Sequence, residues 1–375
     1  MRMNLVVGEA LKRAKVNKLV YSNVLAREVM TLSIDKQLPT LNEAREHLSK
    51  LSSKPTGSGY RNNKFDQEKY DLNIIVPVYN VEQYLDECLS SILSQKTDYS
   101  FFISIINDGS KDNSRGILKK YEKFSNVNIV DQSNKGLSGA RNTALQSINS
   151  KYVMFVDSDD KLHSNAIQSL LTSAFTNNSD VVEGGFNKFT NDKLLFKKTH
   201  NTNNDLKALG NLFGFAWGKV IKSTLFKNII FPEGYWYEDT VISYLIYTQC
   251  KEVSTVDDIV YWYRENPKGI TNISKINKKS IDTYWILEQM LEDMKFLDIS
   301  YTQDIYEETL RQVKLNFTRT RRMDDLTQKS IFTLTANIFQ TQFTDFKTQV
   351  DIFKDLEKSL KTNDYKQYFQ FCTLV

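Results

Sequence analysis

Between Asp71 and Phe175 the chain alternates short, wholly apolar runs with amphipathic segments, and no other feature restricts its fold as much. Leu72–Val78, Phe101–Ile106, Val127–Val130 and Tyr152–Val156 read as strands. Val81–Gln95 carries Val81, Leu85, Cys88, Leu89 and Ile92 on one helical face, and Asn113–Phe124, Gly139–Ile148 and Ser164–Phe175 read as further helices. Strand–helix alternation of this kind implies an α/β fold with a mostly parallel, doubly wound sheet. Such sheets bind ligands in the crevice at the carboxyl ends of their strands.

That rule gives meaning to the polar residues at the strand ends. Asn80 follows the first strand, Asp108 the second, and Asp157, Asp159 and Asp160 the fourth, in KYVMFVDSDDKL. A single Asp or Asn there commonly begins a turn or caps a helix; repetition at three strand ends favours a site. Crowded carboxylates raise one another's pKa unless a cation or donor offsets them. Asp157-Ser158-Asp159-Asp160 is a hard-oxygen cluster, suited to Mg2+ or Mn2+ rather than zinc, and such a metal completes its shell with phosphate oxygens and water. Upstream, NKGLSGARN sets Lys135 and Arg141 around Gly136 and Gly139 at the entry to a helix, where small residues and a helix N-terminus suit an anion. A solvated turn fits that segment equally well.

The remaining chain frames this region. With 375 residues there is room for two or three units. Lys+Arg at 49 against Asp+Glu at 45 leaves a net charge of +4, too small to argue for nucleic acid as partner. Cys88, Cys250 and Cys372 are far apart and odd in number, so neither a disulfide framework nor a zinc site is suggested, and a reducing, cytoplasmic setting is expected. No apolar run approaches the roughly 18 residues of a membrane span, so the expected state is soluble, or peripheral at the inner face of the cell membrane. The expected domains are a helical N-terminal extension over 1–52, with Thr40 and Glu43 as a capping box, a polar linker over 53–70, the α/β domain over 71–274 and a helical region over 275–375. In the last, Arg319, Arg321 and Arg322 suit an anionic membrane surface or a lipid-diphosphate, or, as is commoner for such clusters, a solvated helix face. Phe339, Phe343, Phe346 and Phe353 suit a core or a contact with a second copy of the chain.

Taken in order, VPVYN (Val76–Asn80), DGS (Asp108–Ser110), NKGLSGARN, DSDD, FAWGK (Phe215–Lys219) and YEDT (Tyr237–Thr240) resemble the motifs of the family 2 glycosyltransferases. These are inverting enzymes of the GT-A fold, a doubly wound mixed sheet with a Rossmann-like nucleotide-binding half. The resemblance covers roughly Asp71 to Thr271; the helical extensions take no part. It implies a nucleotide-sugar donor, UDP-linked by preference, Mn2+ or Mg2+ as cofactor, and a glycan, lipid-linked or protein-linked acceptor of bacterial surface-polysaccharide or glycoconjugate synthesis. By the same resemblance Pro77, Tyr79 and Asp108 hold the nucleobase, with Arg141 near the base or diphosphate. Asn80, Lys135, Gly136 and Ser158 join them on the donor. Asp157 contacts the ribose or metal, Asp159 ligates the metal, and Asp239 is the general base. Glu238, Trp217, Lys219 and Arg264 fall on the acceptor side, Trp217 as a sugar platform and Lys219 and Arg264 facing phosphate. A Trp is more often core, an Arg often a surface ion pair, and Glu238-Asp239 also suits a helix N-terminus. Two other readings share these residues: a sugar-nucleotide nucleotidyltransferase, which would carry a Gly-rich basic loop after the first strand, and a non-catalytic nucleotide-sugar-binding protein.

Overall fold

The computed structural model describes residues 2–31, 37–63, 65–200, 212–267, 269 and 277–375. They fall into two units, one of residues 1–54, 270–288 and 301–375, the other of residues 55–269 and 289–300.

The first unit is helical. Its N-terminal helices are α1 (Arg2–Arg13), α2 (Asn17–Ser22), α3 (Val24–Met30) and α4 (Leu41–Leu51). Thr40 caps α4 in the expected box, its side chain accepting from Glu43 N–H while the Glu43 carboxylate accepts from Thr40 N–H. The extension and the C-terminal helices, read separately in the sequence, belong to this one unit. An amphipathic helix cannot bury its apolar stripe alone, and here α4 packs on Asp325–Thr341 while α1 and α2 pack on Tyr365–Leu374. Phe339, Phe343 and Phe353 are buried, hence core. Arg319 donates to Thr283 and Arg321 pairs with Glu9 at 2.8 Å, so two of the three clustered arginines are tied inside the unit. Among the described residues, no helix is long and apolar enough to cross a membrane.

The second unit holds the sheet. Its elements are β1 (Phe65–Val78), α5 (Glu82–Leu93), β2 (Phe101–Asn107), α6 (Ser114–Leu118), β3 (Val127–Asp131), α7 (Gly136–Leu145), β4 (Ile148–Phe155), β5 (Lys161–Leu162), α8 (Ala166–Asn177), β6 (Val181–Phe189), β7 (Leu194–Lys198), β8 (Lys219–Lys222) and β9 (Val253–Arg264). Among the described residues the strand order is β3-β2-β1-β4-β8-β6-β9-β5, with β7 on β6. β3, β2, β1 and β4 run parallel, as the alternation predicts; β8 is antiparallel to both β4 and β6, which makes the sheet mixed. β1 begins at Phe65, inside the segment read as linker, because its polar first half pairs irregularly with the start of β4. The expected boundary between residues 274 and 275, and the end of the YWYRENPKGIT segment, lie outside the described residues.

Side chains at alternate positions of β1 face opposite layers. Leu72, Ile74, Val76 and Val78 join Leu85, Cys88, Leu89 and Ile92 of α5 and Ile167, Leu170 and Leu171 of α8 in one core cluster. α7 packs on β1, β2 and β4 outside that cluster, where Phe155 meets Phe226 and Phe231 edge-on. Each fully buried apolar side chain contributes about 1.5–3 kcal/mol, so both layers stabilise β1, β2 and β4.

Candidate functional site

At that edge the strands stop pairing and polar residues take over. Pro77 is buried in β1, opposite Ile106, and its missing N–H costs nothing because β4 pairs with β1 only as far as Ile75 and Phe155. Pro77 thus shapes the strand end, while Tyr79 is 46% exposed just beyond it. Asn80 adopts a left-handed φ of 52°, a conformation Asn tolerates. Its Oδ1 accepts from Lys111 N–H at 2.7 Å, binding the first loop to the second. Gly109 follows Asp108 with φ 73°, and a Cβ there would sit 3.0 Å from the Asn134 nitrogen. Buried Asp108 receives Gln132 Nε2 at 2.7 Å and Lys135 N–H at 2.8 Å, both on Oδ1. Oδ2 takes no hydrogen bond from the described residues. Lys135 and Gly136 are exposed at the start of α7. Gly139 is required one turn later, since a Cβ would lie 2.4 Å from that of Lys135.

α7 also carries Arg141, which is fully buried. Its Nη2 donates to Asp157 Oδ1 at 2.9 Å, and its Nη1 to Glu238 Oε1 at 2.9 Å and Asp239 Oδ1 at 2.7 Å. The guanidinium also lies over the Phe231 ring at 4.9 Å. One cation therefore joins the end of β4 to a segment about eighty residues downstream. The sequence places Arg141 near the base or diphosphate; the structure turns its guanidinium onto carboxylates of the protein.

The other DSDD members have separate duties. Ser158 is buried. Asp160 is 1% exposed, accepting Tyr261 O–H on Oδ2 at 2.9 Å and Arg264 N–H on Oδ1 at 2.6 Å. Asp157 N–H in turn donates to the Tyr261 hydroxyl at 3.0 Å. Asp159 is half-buried and accepts Asn266 Nδ2 on Oδ2 at 2.8 Å, which leaves Oδ1 unengaged. Asp239 likewise keeps Oδ2 unengaged, its side chain 25% exposed.

Three carboxylates (Asp157, Glu238, Asp239) share the single Arg141 guanidinium, an excess of two negative charges when all are ionised, and the Asp159 and Asp160 carboxylates stand beside them, while the Arg264 guanidinium is paired with Glu87. Burial raises Asp157 to about 6 against the pull of Arg141, with Asp239 and Asp159 adding to the rise. Burial and then Asp239 raise Glu238 to about 7. Asp160 is raised by burial and by its two Asp neighbours. Arg141 is driven the opposite way, held charged by three partners. The two directions agree: the lone cation is over-compensated and each anion under-compensated. A cation is the natural complement, and Asp157 and Asp159 suit it chemically as hard-oxygen donors at the half-buried face. No group of three or more His, Cys, Asp or Glu among the described residues forms a ready cage. Asp160, with both oxygens held by protein, is removed from the ligand set.

These shifts carry a sign. A carboxyl raised in the folded state binds its proton more tightly there, so stability declines as pH rises from the unfolded value of 4.5 through about 7. Metal-free protein is expected to lose on the order of 2 kcal/mol between pH 5 and 8 through Glu238. Glu238→Gln should flatten that slope, which urea unfolding at both pH values measures; parallel slopes would refute the assignment.

Three acceptor-side expectations are corrected. Lys219 is fully buried, paired with Glu183 and donating to the Phe213 carbonyl and Tyr247 hydroxyl, so its ammonium faces no ligand. Its position in β8, between β4 and β6, explains this. Arg264 is 4% exposed; it donates to the Asp159 carbonyl at 2.7 Å, to Asn191 and to Glu87, with Tyr84 and Phe189 against its plane. It clamps the DSDD loop instead of meeting phosphate. Trp217 is 5% exposed, between Phe215 at 4.5 Å and the Tyr261 and Tyr263 rings at 4.5 and 5.2 Å, leaving no face for a sugar. Glu238 is buried and its Oε1 accepts from Arg141 Nη1. Sequence reasoning missed Tyr261, Asn266 and Glu87. The first two lie in YWYRENP, whose aromatic and polar alternation is a signal; Glu87, on the exposed side of α5, has none.

Residues 73–232 match the family model described as Glycosyl transferase family 2. The uncharacterised glycosyltransferase EpsJ of Bacillus subtilis is 33% identical over 218 residues, 54% of this chain and 63% of that protein. The glycosyltransferase GlyA of Streptococcus pneumoniae is 31% identical over 220 residues, 54% and 32% of the two chains. A poly(ribitol-phosphate) beta-glucosyltransferase of Bacillus spizizenii is 32% identical over 268 residues, 67% and 41%. The chain thus spans less than two-thirds of the length of these relatives. Among solved structures, TarS 1-349 of S. aureus in complex with UDP-GlcNAc superposes with a TM-score of 0.64 at 19% identity, over 81% of this chain and 90% of that one. This likeness places the sheet and its flanking helices in the GT-A fold.

Proposed function

We propose that the chain, whose residues 73–232 match the family model described as Glycosyl transferase family 2, is a metal-dependent inverting glycosyltransferase. It moves one sugar from a nucleotide donor to a glycan or lipid-linked acceptor of a bacterial cell-surface polymer. The observation that carries this reading is the Arg141 bridge, which holds Asp157 on the donor side and Asp239 on the opposite side at a single guanidinium. UDP is the favoured nucleotide and a teichoic-acid-like polymer a favoured acceptor, by the names of the S. aureus fold neighbour and the Bacillus spizizenii relative.

In this mechanism Tyr79 and Asp108 Oδ2 receive the nucleobase, Lys135 and the first N–H groups of α7 face the diphosphate, and Asp157 and Asp159 would hold Mn2+ or Mg2+. The metal, when bound, supplies Lewis-acid stabilisation of the leaving diphosphate. Asp239 Oδ2 takes the proton of the acceptor hydroxyl as that oxygen attacks the anomeric carbon. The carbon–oxygen bond to the diphosphate breaks with its electron pair on the departing oxygen, and the anomeric configuration inverts. Arg141 keeps base and donor carboxylates in register; Arg264 and Tyr261 hold the loop between them.

A panel of nucleotide sugars scored by nucleoside diphosphate release, with and without chelator, tests the reading. Release is expected from one donor and should stop on chelation. Asp159→Ala should weaken Mn2+-dependent nucleotide binding at least tenfold, about 1.4 kcal/mol, while metal-free binding stays unchanged. No release from any donor, together with no nucleoside diphosphate binding, would reject the function.

A further inference from the structure

The burial of Trp217 removes one sugar platform and exposes another. Phe215 stacks on Trp217 at 4.5 Å with an interplanar angle of 5°, and Trp217 stacks on Tyr261 at 4.5 Å and 13°. The Tyr261 hydroxyl touches both Asp157 and Asp160. Three nearly parallel rings therefore run outward from the DSDD loop and end in Phe215, which is 41% exposed. Phe186, itself buried, meets Phe215 edge-on at 6.3 Å and 90° and so fixes its orientation.

Location separates this ring from the nucleotide side. The loops after β1 and β2 lie on one side of β4, whereas the Phe215 loop leads into β8 on the other. The neighbouring Gly214 leaves room for a Cβ only 3.0 Å from Ser243 Oγ, and Ser243 stands four residues after Asp239 on the same run of helical turns. The end plate of the stack is thus on the flank of the crevice that carries Asp239.

We propose that the outward face of Phe215 is a stacking platform for a pyranose ring of the acceptor. An aromatic face carries negative quadrupole density and pairs with the weakly positive C–H edge of an apolar surface; the axial C–H groups of a pyranose present such a surface. A rigid, pre-aligned ring loses little conformational entropy on binding. A singly scattered exposed Phe needs no explanation, but this one is the fixed end of a stack rooted on the site's own carboxylate loop. The inference rests on the glycosyltransferase reading and names the acceptor chemistry that site would take.

The test uses the full chain, with UDP, GDP and TDP as nucleotide probes and methyl glycosides of glucose, galactose and N-acetylglucosamine as sugar probes. Saturation-transfer NMR should show ring protons of at least one glycoside receiving saturation from the nucleotide-bound wild type. Phe215→Ala should reduce that signal at least fivefold, Phe215→Trp should retain it, and both variants should melt and bind nucleotide as the wild type does. Equal saturation in wild type and Phe215→Ala, or none in wild type with nucleotide bound, overturns the platform alone. Failure of all three nucleotides to bind overturns both the platform and the function beneath it.

Discussion

Replacing Arg141 with Met is expected to destabilise the sheet unit by about 3–5 kcal/mol, because removing one partner of a buried ion pair leaves the others charged and uncompensated. The site has three such partners, Asp157, Glu238 and Asp239, and burial already raises Asp157 and Glu238. At roughly 2–4 °C per kcal/mol for a unit of this size, the melting temperature should fall by about 10 °C. Turnover should disappear with it, since base and donor carboxylates lose their common anchor. Arg141→Lys should recover part of the stability and little activity: an ammonium is a point charge and cannot span three carboxylates as the guanidinium fork does. Thermal melts at pH 7.5 with chelator present decide the matter, and an unshifted midpoint would show the bridge to be energetically idle.

Asp239→Asn is expected to lower turnover by about 10²–10⁴-fold, the range for loss of a positioned general base, while nucleotide affinity stays within twofold. The amide keeps the shape and can still accept from Arg141 Nη1, but it cannot take the acceptor's proton. Single-turnover kinetics beside calorimetric nucleotide binding separate the two effects. If Asp239→Asn turned over as fast as wild type, the base would have to be sought elsewhere. Glu238 would be the first place to look, although it is buried and paired with Arg141.

The parts of the protein legible in the sequence are those with local periodicity. The buried run of β1, the Leu85, Cys88, Leu89 and Ile92 face of α5, and the Thr40–Glu43 box all occur where spacing and residue type place them. The polar ends of β1, β2 and β4 gather on one edge because parallel strands share one direction. What misled was chemistry that reads the same in two settings. Trp217, Lys219 and Arg264 are equally suited to a ligand or to a partner inside the protein, and their partners Tyr261, Glu183 and Glu87 are distant in the chain. No local pattern records such pairings.

The alternation of short apolar runs and amphipathic segments thus determined a parallel α/β core and the edge at which its polar strand ends meet, since periodicity and strand direction are local properties. Only the tertiary structure decided the division of labour within the crevice. It turned Asp160 inward to Tyr261 and Arg264, left oxygens of Asp159 and Asp239 unengaged, and set Arg141 between Asp157 and Asp239. A buried charge must find its counter-charge somewhere, and folding, by bringing β4, α7 and the Glu238-Asp239 turn together, settled which one it found.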